Sequence, residues 1–481
     1  ASLGGNTWGL DTTLDGEVFY TQPTSGNPLI HVVLPEYILA QGKLPGLRGT
    51  KGLLPGAPLN PAMHLKQLAY VQVDQVGRYT AASGCAIYEG GAWPEKWNYS
   101  YFTGEPTVNL VGHFHLEPDG VTYKATKEAG RENTEFIRSR NLWFRPIEVR
   151  TGPDGALYIV DFCNQAVIHN DTRGPAHGPA NAAVRPDRDH YYGRIWRMQH
   201  KAARSLGSIS INRSDPAGLK TAAQSPNKQR RETALRLLRE SHGAAGEPKT
   251  VGSAAVREYE EARGTSEPSS LIARVRKAED PWTLSALVAA SAPRGVAIIE
   301  AALASKPDER LIAFATALTP GALKNGENAN LIRLLQACNR SGPESTSVTR
   351  AVLRGLSDGL SWKPVVSKEL ESCLLDLLKN SETRLLALAL IAKWDAKGEM
   401  KPATQALTGE LLDKMADPGR PDDERIAIVR SLISLRATNE KVLPALKAAL
   451  SGSGSEDLKR GILALLGDTE GEDVGEILTG Q

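Results

Sequence analysis

The order of apolar and polar positions divides the chain into two parts near residue 200. Up to that point, short runs of apolar residues alternate with polar ones, which is the period of a strand with one buried face. From about residue 227 the apolar positions recur at i, i+3, i+4 and i+7, which is the period of an amphipathic helix. The pattern therefore predicts a multidomain β + α protein, with the β part first.

One unit recurs in the β part, an Asp-Gly turn followed by an alternating strand. It stands at LDGEVFYTQ (Leu14 to Gln22), PDGVTYKAT (Pro118 to Thr126) and PDGALYIVD (Pro153 to Asp161). Asp-Gly supplies the positive φ of a hairpin turn. Repeated units of this kind favour a partial β-propeller over an immunoglobulin sandwich. Residues 1–198 would supply about three blades of ~40–50 residues each. Three blades cannot close a ring, so we expect another chain or segment to cover the exposed edges.

The α part, residues 227–481, follows a polar stretch at 199–226 that we interpret as a linker. Its helix starts share an acidic first turn near a Ser, Asp or Asn cap, and they lie at 227–240, 306–318, 380–394, 421–435 and 454–468. Comparable arginines stand at Arg310, Arg384, Arg425 and Arg460, which are 74, 41 and 35 residues apart. Such a period predicts an α-solenoid of HEAT- or armadillo-like helical hairpins.

Composition narrows the classes of partner. The 481 residues carry a formal net charge of +2, which argues against a nucleic-acid partner. Apolar runs stay short of the ~20 residues that span a bilayer. The four cysteines contain no Cys-x-x-Cys pair, so we interpret them as small buried residues. A disulfide between Cys85 and Cys163 is the open alternative.

Two histidines and a glutamate are candidate metal ligands. His113 and His115 stand two apart in VGHFHLEPDG, so on a strand both point to one face. Such a pair can hold a metal or serve as a base, although a half-exposed strand face gives the same pattern. Glu105 precedes Pro106 at a bend, where it could act as a base or cation ligand or be an ordinary loop carboxylate.

Arg145 is the candidate for binding an anion. Alternation in LWFRPIEV places Trp143 and Arg145 on one face, and a guanidinium beside an indole suits a flat, anionic ligand. The alternative is a structural arginine paired with a carboxylate of a neighbouring blade. Asp161, Asn164 and Gln165 follow a buried-looking strand, where they could contact a ligand or Ca²⁺ or serve as turn residues.

Three long segments of the β part carry a resemblance to a known family. They are GNTWGLDTTLDGEVFYT, SGCAIYEGGAWPEKWNYSYFTGEPTVNLVGHFHLEPDGVTY and the run from NLWFRPIEVRTGPDGALYIVDFCNQAVIH to DHYYGRIWRM. They resemble the membrane-bound dehydrogenases of planctomycetes and verrucomicrobia. That family has a six-bladed propeller similar to glucose and sorbosone dehydrogenases that use pyrroloquinoline quinone (PQQ). HEAT-like helices and a c-type cytochrome domain commonly follow.

The resemblance implies an extracytoplasmic oxidoreductase, periplasmic or membrane-associated, that oxidises a sugar or alcohol with PQQ and Ca²⁺ and passes electrons to haem c. An Arg-x-Arg holds the quinone in such enzymes, and here that place reads Trp143-Phe144-Arg145, so the second arginine alone is matched. The catalytic His of those enzymes lies in an earlier blade, so no catalytic residue is assigned. The haem motif Cys-x-x-Cys-His does not occur in this sequence, which leaves the cytochrome to another chain or domain.

Two classes of function follow. The first is the dehydrogenase segment just described. The second is a non-catalytic propeller and solenoid that binds or assembles partners in a larger complex. Polysaccharide binding by Trp93, Trp97 and Trp143 lies between them.

Overall fold

The computed structural model describes residues 8–23, 26–63, 77–164, 191–242, 252–324, 326–395, 397–398, 400–436, 439–452, 455–469 and 474–475. Contacts divide the chain into two compact units. One comprises Ala1–Leu39 with Gly46–Glu261, and the other Ala40–Pro45 with Ala262–Gln481. The predicted domain limits at 198 and 226 come from composition and stay predictions.

The first unit contains antiparallel sheets, as the alternating pattern predicts. Its strands are β1 (Leu10–Thr12), β2 (Val18–Gln22), β3 (Asn27–Val32), β4 (Thr50–Gly52), β5 (Cys85–Ile87), β6 (Ser100–Glu105), β7 (Leu110–Asp119), β8 (Thr122–Thr126), β9 (Ile137–Arg138), β10 (Pro146–Thr151), β11 (Leu157–Asp161) and β12 (Arg194–Met198). The first sheet has the order β1-β2-β3-β4 and the second β5-β6-β7-β8, with β9 paired to β7. The third sheet has the order β10-β11-β12.

The Asp-Gly turns are confirmed by their backbone angles. Gly16, Gly120 and Gly155 have φ of 78°, 63° and 74°, a region that glycine enters without a Cβ penalty. Each turn leads directly into a strand of a different sheet, namely β2, β8 and β11. The recurring unit therefore marks one hairpin in each of the three sheets.

The second sheet buries both of its faces. Tyr101 lies in an apolar cluster with Phe19 and Leu29 of the first sheet, whereas its neighbour Phe102 lies in a cluster with Leu157 and Ile159 of the third. Because successive side chains of a strand point to opposite faces, β6 contributes residues to both apolar clusters. The three sheets pack face to face in chain order through these clusters.

Helices form the rest of the described chain. They are α1 (Glu36–Leu39), α2 (Pro216–Ala222), α3 (Lys228–His242), α4 (Ala254–Gly264), α5 (Pro268–Lys277), α6 (Pro281–Ser291), α7 (Gly295–Leu303), α8 (Glu309–Ala322), α9 (Asn328–Arg340), α10 (Thr346–Gly359), α11 (Lys368–Lys379), α12 (Ser381–Trp394), α13 (Lys401–Ala416), α14 (Asp422–Leu435), α15 (Val442–Ser451) and α16 (Glu456–Gly467). Even-numbered helices from α6 to α16 pack on one another in order, and odd-numbered ones from α5 to α11 do the same. This two-row packing confirms a helical repeat.

The recurring arginines tie successive helices together. Arg310, Arg384 and Arg425 donate to carbonyls in the last turns of earlier helices, at Arg276 (2.7 Å), Leu378 (3.0 Å) and Met415 (2.8 Å). A cation there offsets the unpaired carbonyls of a helix C-terminus. Arg460 differs, because it donates within its own helix to Glu456 (3.4 Å).

The start of α3 is anchored on the sheets. The Asn227 side chain donates to the carbonyls of Gly90 and Gly152, both at 2.9 Å. Residues 199–226, interpreted as a linker, contain α2, whose Asp215 cap accepts from Gly218 N at 2.9 Å. A helix of 7 residues has too few apolar positions to show a periodicity.

Two expectations from composition have clear outcomes. All four cysteines are free and buried, which confirms their interpretation as small core residues and leaves Cys85 and Cys163 unbridged. The expectation that no stretch approaches membrane-spanning length was wrong for Pro281–Leu303, whose 23 residues contain an 18-residue window with a mean hydropathy of 1.5. Because 67% of that window is buried inside the protein, as in the core helix of a soluble protein, this is weak evidence for a membrane span.

Candidate functional site

Arg145, the predicted anion ligand, lies just before β10 and is fully buried. Its Nε donates to the Asn164 carbonyl (3.1 Å), and its Nη1 donates to the carbonyls of Pro106 (2.8 Å) and Thr107 (3.1 Å). Burial lowers the pKa of Arg145 to about 10, while the nearby Asp161 opposes that shift. The guanidinium therefore ties the segment that carries Arg145 to two others, Pro106–Thr107 and Asn164, at the ends of the second and third sheets.

Asp161 joins the three strands of the third sheet. Its Oδ1 accepts from the backbone N–H groups of Arg145 (2.8 Å) and Cys163 (2.9 Å). Its Oδ2 accepts from Arg194 Nε and Trp196 Nε1, both at 2.9 Å. A buried carboxylate with four donors is fully satisfied. The structure thus brings together Arg145, Asp161 and Asn164, while Gln165 lies outside the described residues.

Trp143 stands apart from this junction. The chain turns at Asn141–Phe144, where Phe144 N donates to Asn141 O at 3.0 Å, so strand alternation does not apply there. The Trp143 ring packs edge-on against Tyr192, with centroids 6.2 Å apart. Trp93, by contrast, is 6% exposed and stacks on Tyr88 at 4.6 Å. Trp97 packs edge-on against Trp93, with centroids 5.4 Å apart, so two of the three tryptophans proposed for polysaccharide binding share one aromatic cluster and Trp143 lies apart from them.

Glu105 organises a loop with its buried carboxylate. It accepts from the backbone N–H groups of Thr80 (3.0 Å), Ala81 (2.8 Å) and Thr107 (3.3 Å). Burial raises the pKa of Glu105 to about 7, and these three donors oppose the shift. Its oxygens are thus already coordinated by backbone.

The two histidines of β7 contact each other, as their spacing predicts. Their ring centroids are 4.7 Å apart, and His113 stacks on Phe102 at 4.8 Å. Burial, followed by the neighbouring His115, lowers the pKa of His113 to about 3, so the ring stays neutral. The register pairs His113 with Phe102 and Glu105 with Leu110, which separates Glu105 from His113 by three positions, or ~10 Å, and from His115 by five. Within the described ranges, no group of three or more His, Cys, Asp or Glu side chains is placed to hold a metal.

A buried polar contact between the first two sheets was missed from the sequence. His31 Nε2 lies 2.7 Å from Glu17 Oε2, and its Nδ1 lies 3.0 Å from the Thr122 hydroxyl. All three side chains are less than a tenth exposed, and His31 stacks on Phe19 at 4.8 Å. The three residue types are those of a catalytic triad. Because all three side chains are buried, the contact serves to hold the first and second sheets together. No local motif links partners that are 14 and 91 residues apart.

Comparison with known proteins adds a family match without an activity. Residues 1–202 match a family described as a domain of unknown function, DUF7133. No curated protein matches the sequence. The X-ray structure of YibA from Escherichia coli is similar at 14% identity over 52% of this chain and 92% of that chain, with a TM-score of 0.19. A TM-score at that level carries no argument about the fold.

A charged cluster beside the first sheet was also missed. Lys228 Nζ lies 2.7 Å from Asp11 Oδ1 and also donates to the Thr12 carbonyl. The Glu89 carboxylate accepts from Leu14 N at 3.0 Å, and burial raises the pKa of Glu89 to about 7, opposed by Lys228. Lys228 lies in the first turn of α3, and no motif in the sequence indicates that it is buried. These groups hold α3 against the sheets.

The junction around Arg145 and Asp161 is thus a set of satisfied buried bonds. Its donors and acceptors bond to backbone groups or to one another. The role that this arrangement supports is to position the third sheet.

Proposed function

We propose that this protein is a non-catalytic binding and assembly protein. In this proposal the three sheets are blades of a partial β-propeller and the helical repeat is a HEAT-like solenoid. The face-to-face order of the sheets and the two-row packing of the helices support both assignments. The observation that carries the functional proposal is an exposed apolar patch on the outer face of the third sheet.

That outer face is exposed along two strands. Val160 and Ile195 are cross-strand partners on the side opposite the buried Ile159. Ile195 is 70% exposed, Tyr192 62% and Phe162 41%. These residues border a shallow cavity of about 390 Å³. Contiguous exposed apolar surface on a soluble protein marks an interaction site.

The occupant we propose is the same sheet of a second copy of this chain. Within one chain the sheets already pack through apolar clusters, so another sheet fits this face. Ile195, Tyr192 and Phe162 form an uncharged patch, so two copies of the patch can pack on each other about a two-fold axis. The register places Glu148, Arg150 and Arg197 on the same side of the sheet, where they would border that contact. A second copy bound there would cover the outer face of the third sheet.

The dehydrogenase hypothesis depends on Arg145 receiving a quinone. Three backbone carbonyls accept from its guanidinium, and an anion would have to replace them. PQQ, Ca²⁺, a haem partner, a sugar or alcohol substrate and an extracytoplasmic location stay predictions from resemblance. Reconstitution with PQQ and Ca²⁺, followed by a dye-linked assay with aldoses and alcohols, tests them. Saturable quinone binding with turnover would favour the enzyme.

The assembly proposal is tested by the mass of the purified protein in solution. We expect size-exclusion chromatography with light scattering to give about twice the 51.8 kDa chain mass. Ile195→Asp should weaken the association constant at least about tenfold, because it buries a charge at the interface. Val365→Asp is the control, since Val365 is 74% exposed and far along the chain in the helical unit. A well-folded monomer at micromolar concentration would contradict the proposal.

A further inference from the structure

The outer face of the first sheet differs in chemistry from that of the third. Phe19 and Leu29 point toward the second sheet. Alternation therefore turns Gln22, Ile30 and Thr50 to the other side, where they line one cavity. On this side Ile30 and its cross-strand partner Tyr20 are themselves buried, and the cavity lies beside them.

The cavity has the size of a small-molecule site. Its volume is about 610 Å³, within the ~300–1,000 Å³ range of ligand pockets. Two arginines stand at its rim, and none of the described residues that line it is acidic. The lining consists of Gln22, Asn27, Ile30, Arg48, Thr50, Gly52, Pro55, Gly56 and Arg78.

Arg78 is the side chain that defines the chemistry. It is exposed, and its guanidinium makes no hydrogen bond or ion pair with the part of the chain that the structure describes. It lies over Gly56, where a Cβ would stand 3.5 Å from Cζ and from Nη1. Gly56 has a φ of 68°, so the turn presents a bare backbone surface for the guanidinium to lie on. Arg48 adds a second positive charge to the same cavity.

We propose that this cavity binds a small organic anion through a carboxylate or phosphate group. A guanidinium pairs with such groups through two parallel N–H donors. Gln22 and Asn27 place amide side chains in the same lining, whereas the Thr50 hydroxyl is buried, so recognition of the anion depends on the guanidinium of Arg78. This site is independent of the apolar face on the third sheet, and it adds a ligand to the proposed assembly function.

Calorimetric titration of the full-length protein tests the site. The probes are glucuronate for a carboxylate, glucose 6-phosphate for a phosphate, inorganic phosphate for the bare group and glucose as the uncharged match. We expect saturable binding of at least one anionic probe and no binding of glucose. Affinity should fall as NaCl is raised, because the contact is a charge pair near the surface.

Variants distinguish the cavity from general charge effects. Arg78→Ala should weaken anion binding at least about tenfold. Arg78→Lys should retain part of it, because Lys keeps the charge without the two-donor geometry. Arg140→Ala removes another exposed arginine of the same unit and should change nothing. The proposal is overturned if no anion binds up to about 10 mM, if glucose binds equally, or if Arg78→Ala and Arg140→Ala behave alike. Since Arg78 is exposed, an unchanged melting temperature is expected to accompany the loss.

Discussion

The first and third sheets have the same construction and present opposite surfaces. Both are antiparallel, and both pack one face on the second sheet. The first turns Gln22 and Thr50 outward beside arginines, whereas the third turns out Val160 and Ile195. Strand alternation explains this freedom, because the core constrains only every second residue. The same architecture can therefore carry an anion site at one end and an apolar docking face at the other.

The largest expected effect concerns the carboxylate that holds the apolar face in place. Asp161→Ala should lower the free energy of unfolding by about 3 kcal/mol or more, since it leaves the buried N–H groups of Arg145 and Cys163 without an acceptor. Urea unfolding followed by tryptophan fluorescence measures it, and association through the third sheet should be lost as well.

The matched control is another carboxylate of the same sheet. Asp154 pairs with Arg197 at 2.8 Å and accepts from Ala156 N and the Tyr158 hydroxyl, both at 3.1 Å, but the side chains of the ion pair are more than a third exposed. Asp154→Ala should therefore cost less than Asp161→Ala, about 1–2 kcal/mol. Equal losses for the two variants would show that the Asp161 network contributes no more than a surface pair.

A crossed pair of variants tests whether the two faces act independently. Gln22→Glu places a negative charge in the polar cavity, so it should weaken anion binding about tenfold and leave association unchanged. Ile195→Asp should do the reverse. Calorimetry measures the anion affinity of each variant, and light scattering measures its association. If either variant changes both properties, the faces are coupled.

A smaller expected effect is a pH dependence of stability that one buried carboxylate, Glu89, causes. The pKa of Glu89 rises from 4.5 to about 7 on folding because of burial, so the folded state binds more protons than the unfolded state between those values. Stability from this group is therefore present below about pH 4.5 and is lost as the pH rises through about 7. Between pH 5 and 8, wild type should lose about 1–3 kcal/mol more than Glu89→Gln.

Urea unfolding at four pH values across that range measures the difference between the two proteins. Glu105, whose pKa is also about 7, is present in both and cancels in the comparison. Parallel curves would show that Glu89 is solvated in the folded state. A steeper loss of stability with rising pH in Glu89→Gln than in wild type would mean that the ionised Glu89 stabilises the folded state.

Much of the fold could be predicted from local pattern. The Asp-Gly turns, the strand alternation and the helix starts depend on residues close in sequence, and these were confirmed. The arginines of the helical repeat were also visible, because Arg384 and Arg425 recur at comparable positions in their helices. The membrane-length stretch escaped detection because Arg294 and Glu300 interrupt its apolar run.

The candidate site was less predictable because its partners are distant in sequence. Arg145, Asp161 and Asn164 were each singled out as candidate ligand contacts, but their contact with one another was not predicted, and the carbonyls of Pro106 and Thr107 that accept from Arg145 carry no side-chain signal. The cavity at Arg78 depends on which residues share the outer side of a sheet. That information appears only when the register of the strands is known.

The smallest expected effect tests how the anion site is built. Gly56→Ala should cost about 1 kcal/mol of stability, because a φ of 68° disfavours any residue with a Cβ. The added methyl would meet Arg78 Cζ at ordinary contact distance, 3.5 Å, so the guanidinium stays in place. Anion affinity should then fall by no more than about threefold, in contrast to the loss in Arg78→Ala. A Gly56→Ala protein that binds as poorly as Arg78→Ala would mean that the turn itself contacts the anion. Gly46→Ala is the control for strain, since Gly46 has a φ of 73° and open space around its Cα.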